Sequence, residues 1–171
     1  NVENFKNKNI IVASQLIKKV SEECSFKEFK ILKEFSGSDL KNTICSHPLK
    51  KIGYAYDVPM LEGDFVTLEQ GTGIVHAAPS HGPDDFNLCL KHGIKASNTM
   101  NDGGIYSDEV PFFSGKHIFK ADSLVIEKLS EHNCLLGSGK LQHSFPHSWR
   151  SKAPLVYRAT SQWFISMEKK D

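Results

Sequence analysis

An α+β fold, with a bent sheet or β-barrel-like core and helices flanking it, is what this sequence predicts. Three observations carry that expectation. Short apolar or alternating runs of strand length recur along the chain. Two or three segments have helical spacing. No internal repeat or low-complexity linker separates them, so strands and helices share a common core. A chain of 171 residues is long enough to bury such a core as one domain with a small appendage. We expect the main domain over 1–142 and a separate closing segment over 143–171.

The elements follow in order. Asn9 to Ala13 reads as a short apolar strand running into a helix from about Ser14 to Glu23. Phe26 to Phe35 is ambiguous between helix and strand, and Gly37 with the polar run after it closes the segment. Val58 to Leu68 alternates roughly and contains Gly63-Asp64, a hairpin turn signal. Ile74-Val75 with Ala77-Ala78 read as a short buried strand ended by Pro79, which cannot donate to a ladder. From Pro83 the pattern turns helical through Phe86, Leu88, Cys89 and Leu90, with Gly93 as the stop. Ile94 to Met100 is strand or loop, followed by the turn-rich Asn101-Asp102-Gly103-Gly104. Ala121 to His132 places Leu124, Val125 and Leu129 at helical spacing. Leu135 onward returns to strands broken by Pro146 and Pro154.

The window from Gly71 to Phe86 concentrates the chemistry. It places His76, His81, Asp84 and Asp85 around a strand–turn–helix corner, where they can face one cleft. Asp84 and Asp85 fall in the first helical turn, near the partial positive charge of the helix start. That dipole effect, about 0.3–1 kcal/mol, explains them without any function. A His on an apolar strand is likewise often only a hydrogen-bonded core residue. A zinc site is a third reading, since imidazole and carboxylate are good zinc ligands. No compact spacing such as His-Glu-x-x-His supports it.

Composition narrows the surroundings. Net charge is +1, which argues neither for nor against nucleic acid. Lysines cluster at Lys6-Lys8, Lys18-Lys19, Lys27-Lys33 and Lys50-Lys51, each readable as a solvated face. Cys24, Cys45, Cys89 and Cys134 form no Cys-x-x-Cys pair and fit reduced, mostly buried thiols of a cytoplasmic protein. No apolar run approaches the roughly 18 residues of a membrane span, so no membrane partner is expected. The chain does not begin with Met, which reads as an excised fragment. Near its end, two Trp and two Arg lie in a Pro-punctuated run from Gln142 to Met167. That run reads as a base-stacking surface or as a strand docking on another domain. Trp163-Phe164-Ile165 is too apolar for an exposed tail, which favours docking.

Taken together, Gly71-Thr72-Gly73-Ile74-Val75-His76-x-Ala78-Pro79-x-His81-Gly82-x-x-Asp85-Phe86 resembles the signature of the editing insertion of bacterial-type isoleucyl-tRNA synthetases. His47-Pro48, Gly63-Asp64-Phe65-Val66-Thr67 and Arg158-Ala159-Thr160-x-Gln162-Trp163-Phe164 match the same family in the same order, covering about Ile10 to Met167. His at position 76 resembles the isoleucyl rather than the valyl or leucyl insertions, and the Gln162–Ile165 run looks isoleucyl rather than leucyl. The resemblance implies the editing-domain fold of these class I synthetases, inserted in a Rossmann-type catalytic domain. It implies hydrolysis of misformed valyl-tRNA by an activated water, with valyl-adenylate as a second candidate substrate. Residue by residue, it implies Asp85 as the anchor of the substrate ammonium and His76 as the group that excludes and orients the amino-acid side chain. The same resemblance implies that Gly71, Thr72 and Gly73 shape the floor where the terminal adenosine approaches, with His81 and Asp84 in support.

The partners implied are the acceptor end of tRNA(Ile) carrying valine and the rest of the synthetase chain, in a cytoplasmic monomer. No cofactor is implied within this chain, because ATP and Mg belong to the catalytic domain outside it. Two departures qualify the resemblance. The family's Thr-rich strand, which completes the editing pocket, lies upstream of the matched part. Many relatives carry Cys-Trp-Arg-Cys as half of a zinc knuckle where this chain has Ser148-Trp149-Arg150-Ser151, so no zinc is expected there. A non-catalytic module that binds or docks the acceptor end is the alternative reading, and a metal-dependent hydrolase using His76, His81 and Asp85 is a third.

Overall fold

The computed structural model describes residues 8–69, 71–140, 142 and 144–168. The Lys6 end of the first lysine cluster, and His143 at the expected domain boundary, lie outside them. The chain divides into two compact units. One holds the described residues of Asn1–His76 and Thr99–Ser144, the other those of Ala77–Asn98 and Phe145–Asp171.

In the first unit a 3-10 turn, Ser14–Leu16, leads into α1, Ile17–Glu23. Leu16 and Val20, four residues apart and so on one helical face, are both buried. The helix ends where Ser25 takes a left-handed φ of 58°. Strands β1 (Ile44–Ser46) and β2 (Asp57–Pro59) pair antiparallel, with Ile44 opposite Pro59, Cys45 opposite Val58 and Ser46 opposite Asp57. The polar turn expected at Asn101–Gly104 forms: the Asn101 side-chain oxygen accepts the amides of Gly103 (2.9 Å) and Ile105 (3.1 Å). The last helix, Asp122–Glu131, half-buries Leu124, Val125 and Leu129, the stripe its spacing predicts. Leu16, Val20, Leu49, Met100, Phe113 and Ala121 are the buried apolar residues of this unit.

The second unit is organised by the helix Pro83–Lys91, which we label α2, making Asp122–Glu131 α3. Pro83 occupies its first turn, where no N–H is needed. Gly93, at φ 72°, closes it, and the amides of Gly93 and Ile94 return to the carbonyls of Leu90 (3.0 Å) and Cys89 (2.9 Å). Cys89 is buried, Cys24 and Cys45 are half-buried and Cys134 is exposed, all as free thiols.

The α+β class holds, but the sheet is smaller than the sequence leads one to expect. Among the described residues it has two strands of three residues each, not a bent or barrel-like core. Ile10, Ile11, Ile74 and Val75, meant to carry further strands, remain exposed, as do Phe29, Ile31 and Leu32 of the helix-or-strand run Phe26 to Phe35. A strand this short buries its apolar face only when a neighbour satisfies its backbone, and among the described residues no ladder reaches these segments. Gly63 does turn the chain, with the Val66 amide on its carbonyl at 3.3 Å. The Val58 strand nevertheless pairs backward with β1 instead of across that turn. Among the described residues beyond Leu135, pairing is limited to the bridge of His147 with Pro154. No helix among the described residues is long and apolar enough to cross a membrane.

Candidate functional site

The Gly71–Gly73 turn belongs to the first unit. Gly71 and Gly73 take φ of 70° and 80°, a region that favours glycine. At Gly73 space adds a second demand, because a Cβ there would lie 2.5 Å from the Cβ of Ala13. Thr72 locks the turn. Its carbonyl accepts the Ala13 amide at 2.8 Å, and its hydroxyl oxygen accepts the Ile74 amide at 3.3 Å. The buried strand expected from Ile74 to Ala78 does not form; the segment is irregular, and Ile74, Val75 and His76 are exposed.

His76 therefore stands in solvent, and its neighbour in this unit is His47. Burial, and then the positive field of His76, hold the His47 imidazole below its ordinary pKa, so the neutral ring is favoured. His47 accepts the Leu49 amide on Nδ1 at 3.1 Å, which puts the proton of the neutral ring on Nε2. It stacks on Tyr54 at 4.7 Å with an interplanar angle of 16°. Tyr54 in turn donates its hydroxyl to the Pro111 carbonyl at 2.9 Å. Sequence reasoning noted His47 only as part of a matching motif and passed over Tyr54 and Tyr56. The available signal was their spacing of two, which sets both rings on one side of an extended run.

The second unit holds the acidic half of the window. Asp85 lies at the third position of α2, and its Oδ2 reaches back over the turn to accept the Ala78 amide at 3.0 Å. Gly82, the residue before the helix, is extended, and a Cβ on it would come within 3.0 Å of that same oxygen. The helix start and this hydrogen bond together fix the orientation of the Asp85 side chain. Its negative charge is felt locally. Burial, and then Asp85, raise the Cys89 thiol above its ordinary pKa. Among the described residues Oδ1 of Asp85 makes no hydrogen bond. Asp84 sits one position earlier in the same turn and points into solvent without an ion pair among those residues.

His81 is fixed differently. Its amide closes a turn onto the Ala78 carbonyl at 2.9 Å. Its Nδ1 lies 3.0 Å from the Tyr157 carbonyl, an acceptor only, so Nδ1 carries the hydrogen. Next to it, buried Ser80 donates its hydroxyl to the Ser97 carbonyl and accepts the Ala159 amide at 2.9 Å on its own carbonyl. The two stretches that carry the family resemblance in this unit, 77–86 and 158–164, are thus hydrogen-bonded to each other through Ser80 and Ala159, with Tyr157 just before the second bonded to His81. Of the residues singled out in sequence, Asp84, Asp85 and His81 share this unit, while Gly71, Thr72, Gly73 and His76 share the other. Among the described residues no group of three His, Cys, Asp or Glu is placed to hold a metal ion.

No family model matches the chain. Individual relatives match it closely. It is 63% identical over 164 residues to the isoleucine–tRNA ligase of Pelagibacter ubique, covering 96% of this chain and 18% of that enzyme. It is 45% identical to the ligase of Hahella chejuensis, over 93% of this chain and 16% of the enzyme. It is also 45% identical to the ligase of Gluconobacter oxydans, over 93% of this chain and 18% of the enzyme. The chain thus spans less than a fifth of the curated relatives it matches. Over 93–96% of its length it is homologous to a segment of isoleucine–tRNA ligases.

Proposed function

We propose that this chain is the proofreading segment of an isoleucine–tRNA ligase and hydrolyses valyl-tRNA(Ile). The physical need for such a site is general. One methylene in an apolar pocket discriminates by only about 1–3 kcal/mol, and isoleucine against valine is itself the standard illustration of that limit. A second site removes what the first admits.

The observation that carries the reading is the state of Asp85. One oxygen is held by the Ala78 amide at the start of α2, and the other has no partner among the described residues. An oriented carboxylate with an open oxygen suits an ammonium, which needs an ionised acceptor at a fixed position. In this reading Asp85 binds the α-ammonium of the misattached valine. His76 meets the amino-acid side chain and disfavours one methylene more, while the Gly71–Gly73 turn supports the terminal nucleoside. Water then adds to the ester carbonyl carbon, and the carbon–oxygen bond to the ribose breaks. Valine leaves, and the proton gained from water ends on the ribose hydroxyl. No covalent enzyme intermediate and no metal are needed. His81 and Asp84 support the corner, His81 through Tyr157.

The closing segment fits the same reading. Trp163 and Phe164 are 99% and 91% exposed. We assign this run to docking on the remainder of the ligase, which also supplies the ATP-dependent chemistry. The test is deacylation of preformed valyl-tRNA(Ile) by the full-length ligase with and without Asp85→Ala. Strongly slowed release of valine is expected. Unchanged release would leave the segment as a non-catalytic module that binds or docks the acceptor end.

A further inference from the structure

Carried one step beyond the ends of β1 and β2, the strand register sets His47 opposite Tyr56. Their ring centroids lie 5.3 Å apart, and Tyr54 completes the group 4.7 Å from His47 and 6.4 Å from Tyr56. The hydrolysis proposed above uses none of the three. Their placement is nevertheless tightly determined. The Leu49 amide holds His47, and the Pro111 carbonyl holds the Tyr54 hydroxyl. Gly53, at φ 118°, brings the connecting turn so close that a Cβ there would meet Pro111 at 2.9 Å.

Rings that only fill a core are covered. Tyr56 is 53% exposed, and its hydroxyl makes no hydrogen bond among the described residues. The turn that joins the rings carries Lys50 and Lys51. Lys50 lies 3.9 Å from Asp57, and Lys51 is exposed and makes no ion pair among the described residues. The exposed Tyr56 ring, beside the half-buried His47–Tyr54 stack and joined to it by a lysine-bearing turn, suits one ligand chemistry in particular. A nucleobase stacks on such rings whatever its identity, and its phosphate takes the cation.

We propose that His47, Tyr54 and Tyr56 form a stacking platform for one unpaired base of a single-stranded RNA end, with Lys51 on the adjacent phosphate. The proposal rests on the proofreading reading for which strand arrives, namely an acceptor end. Burial and the neighbouring His76 keep the His47 ring neutral. The platform therefore contributes ring area, and the attraction to phosphate comes from the lysine.

The experiment uses the full-length ligase and a short single-stranded RNA whose terminal base is the fluorescent analogue 2-aminopurine. Stacking quenches this probe, and an abasic RNA of the same length serves as the comparison. We expect quenching on binding and weaker binding of the abasic strand. Base–aromatic stacking corresponds to roughly a five- to 150-fold change in affinity. Tyr56→Leu and Tyr56→Ala should weaken binding within that range, whereas Tyr56→Phe keeps it. Thermal unfolding of each variant checks that the loss is not unfolding, and Tyr56→Leu keeps the apolar bulk. Equal binding of abasic and base-bearing strands, or wild-type binding by folded Tyr56→Leu, overturns the platform. Valyl-tRNA hydrolysis in the same preparations separates the two ideas. Base-dependent quenching without hydrolysis by the wild type overturns proofreading alone. Hydrolysis without base-dependent quenching overturns the platform alone.

Discussion

Asp85 has a structural duty and a proposed chemical one, and a single atom separates them. Asp85→Asn keeps a carbonyl oxygen where Oδ2 accepts the Ala78 amide at 3.0 Å, but it removes the charge. The structural loss is then the helix-start interaction, about 0.3–1 kcal/mol. To it is added the difference between a charged and a neutral hydrogen bond, about 1 kcal/mol. At about 2–4 °C per kcal/mol for a domain of this size, the 171-residue chain should melt roughly 3–8 °C lower. The chemical loss is larger. An ammonium facing a neutral amide instead of a carboxylate forgoes about 1.5–3 kcal/mol, or roughly 10- to 150-fold in kcat/KM. Asp85→Ala strips both duties and leaves the half-buried Ala78 amide unpaired, at about 1–3 kcal/mol. The assay is single-turnover release of valine from valyl-tRNA(Ile) by the full-length ligase, beside a melting curve for each variant. An Asn variant that melts lower yet deacylates at the wild-type rate would refute the reasoning, because Asp85 would then be a loop staple only.

Four further outcomes are expected. His76→Ala should narrow the discrimination between valyl and isoleucyl esters while leaving the melting temperature nearly unchanged, since the side chain is exposed; wild-type discrimination would contradict the role. Gly53→Ala should destabilise the first unit by about 1 kcal/mol or more, from the φ of 118° and the 2.9 Å approach to Pro111, and equal stability by denaturant unfolding would contradict it. His47 has a folded-state pKa below its ordinary value, so the unfolded chain binds more protons between the two. Stability should therefore fall as pH drops through and below the ordinary histidine range, and His47→Phe should flatten that slope. Burial is the larger cause, so His76→Gln should raise the His47 titration midpoint in NMR only partway.

Local chemistry accounts for what could be read from sequence. Pro83 and Gly93 bracket α2 because each acts within a single turn, and Leu124, Val125 and Leu129 mark α3 because its pattern repeats with the helix period. The Gly71–Thr72–Gly73 turn announces itself in glycine spacing, although its reason, the proximity of Ala13, joins residues sixty positions apart. The missing strands have a related cause. Ile74-Val75 has strand composition, but pairing is a property of two segments, and no alternating pattern names the second. The same limit hid the aromatic group: Tyr54-x-Tyr56 is visible in sequence, while its meeting with His47 depends on the β1–β2 register. Asp85 was placed at the helix start from spacing alone, whereas its bond to Ala78 follows from how the turn closes.

The uncovered run Trp163-Phe164-Ile165-Ser166-Met167 also bears on how the polypeptide behaves outside its functional setting. It joins high strand propensity and bulk to an absence of charge and proline, the composition that lets chains pair edge to edge. Left exposed, it is a colloidal hazard. The 171-residue polypeptide in isolation should therefore self-associate at high concentration. Replacing Phe164 with Lys should suppress that association without disturbing α1, α2 or α3.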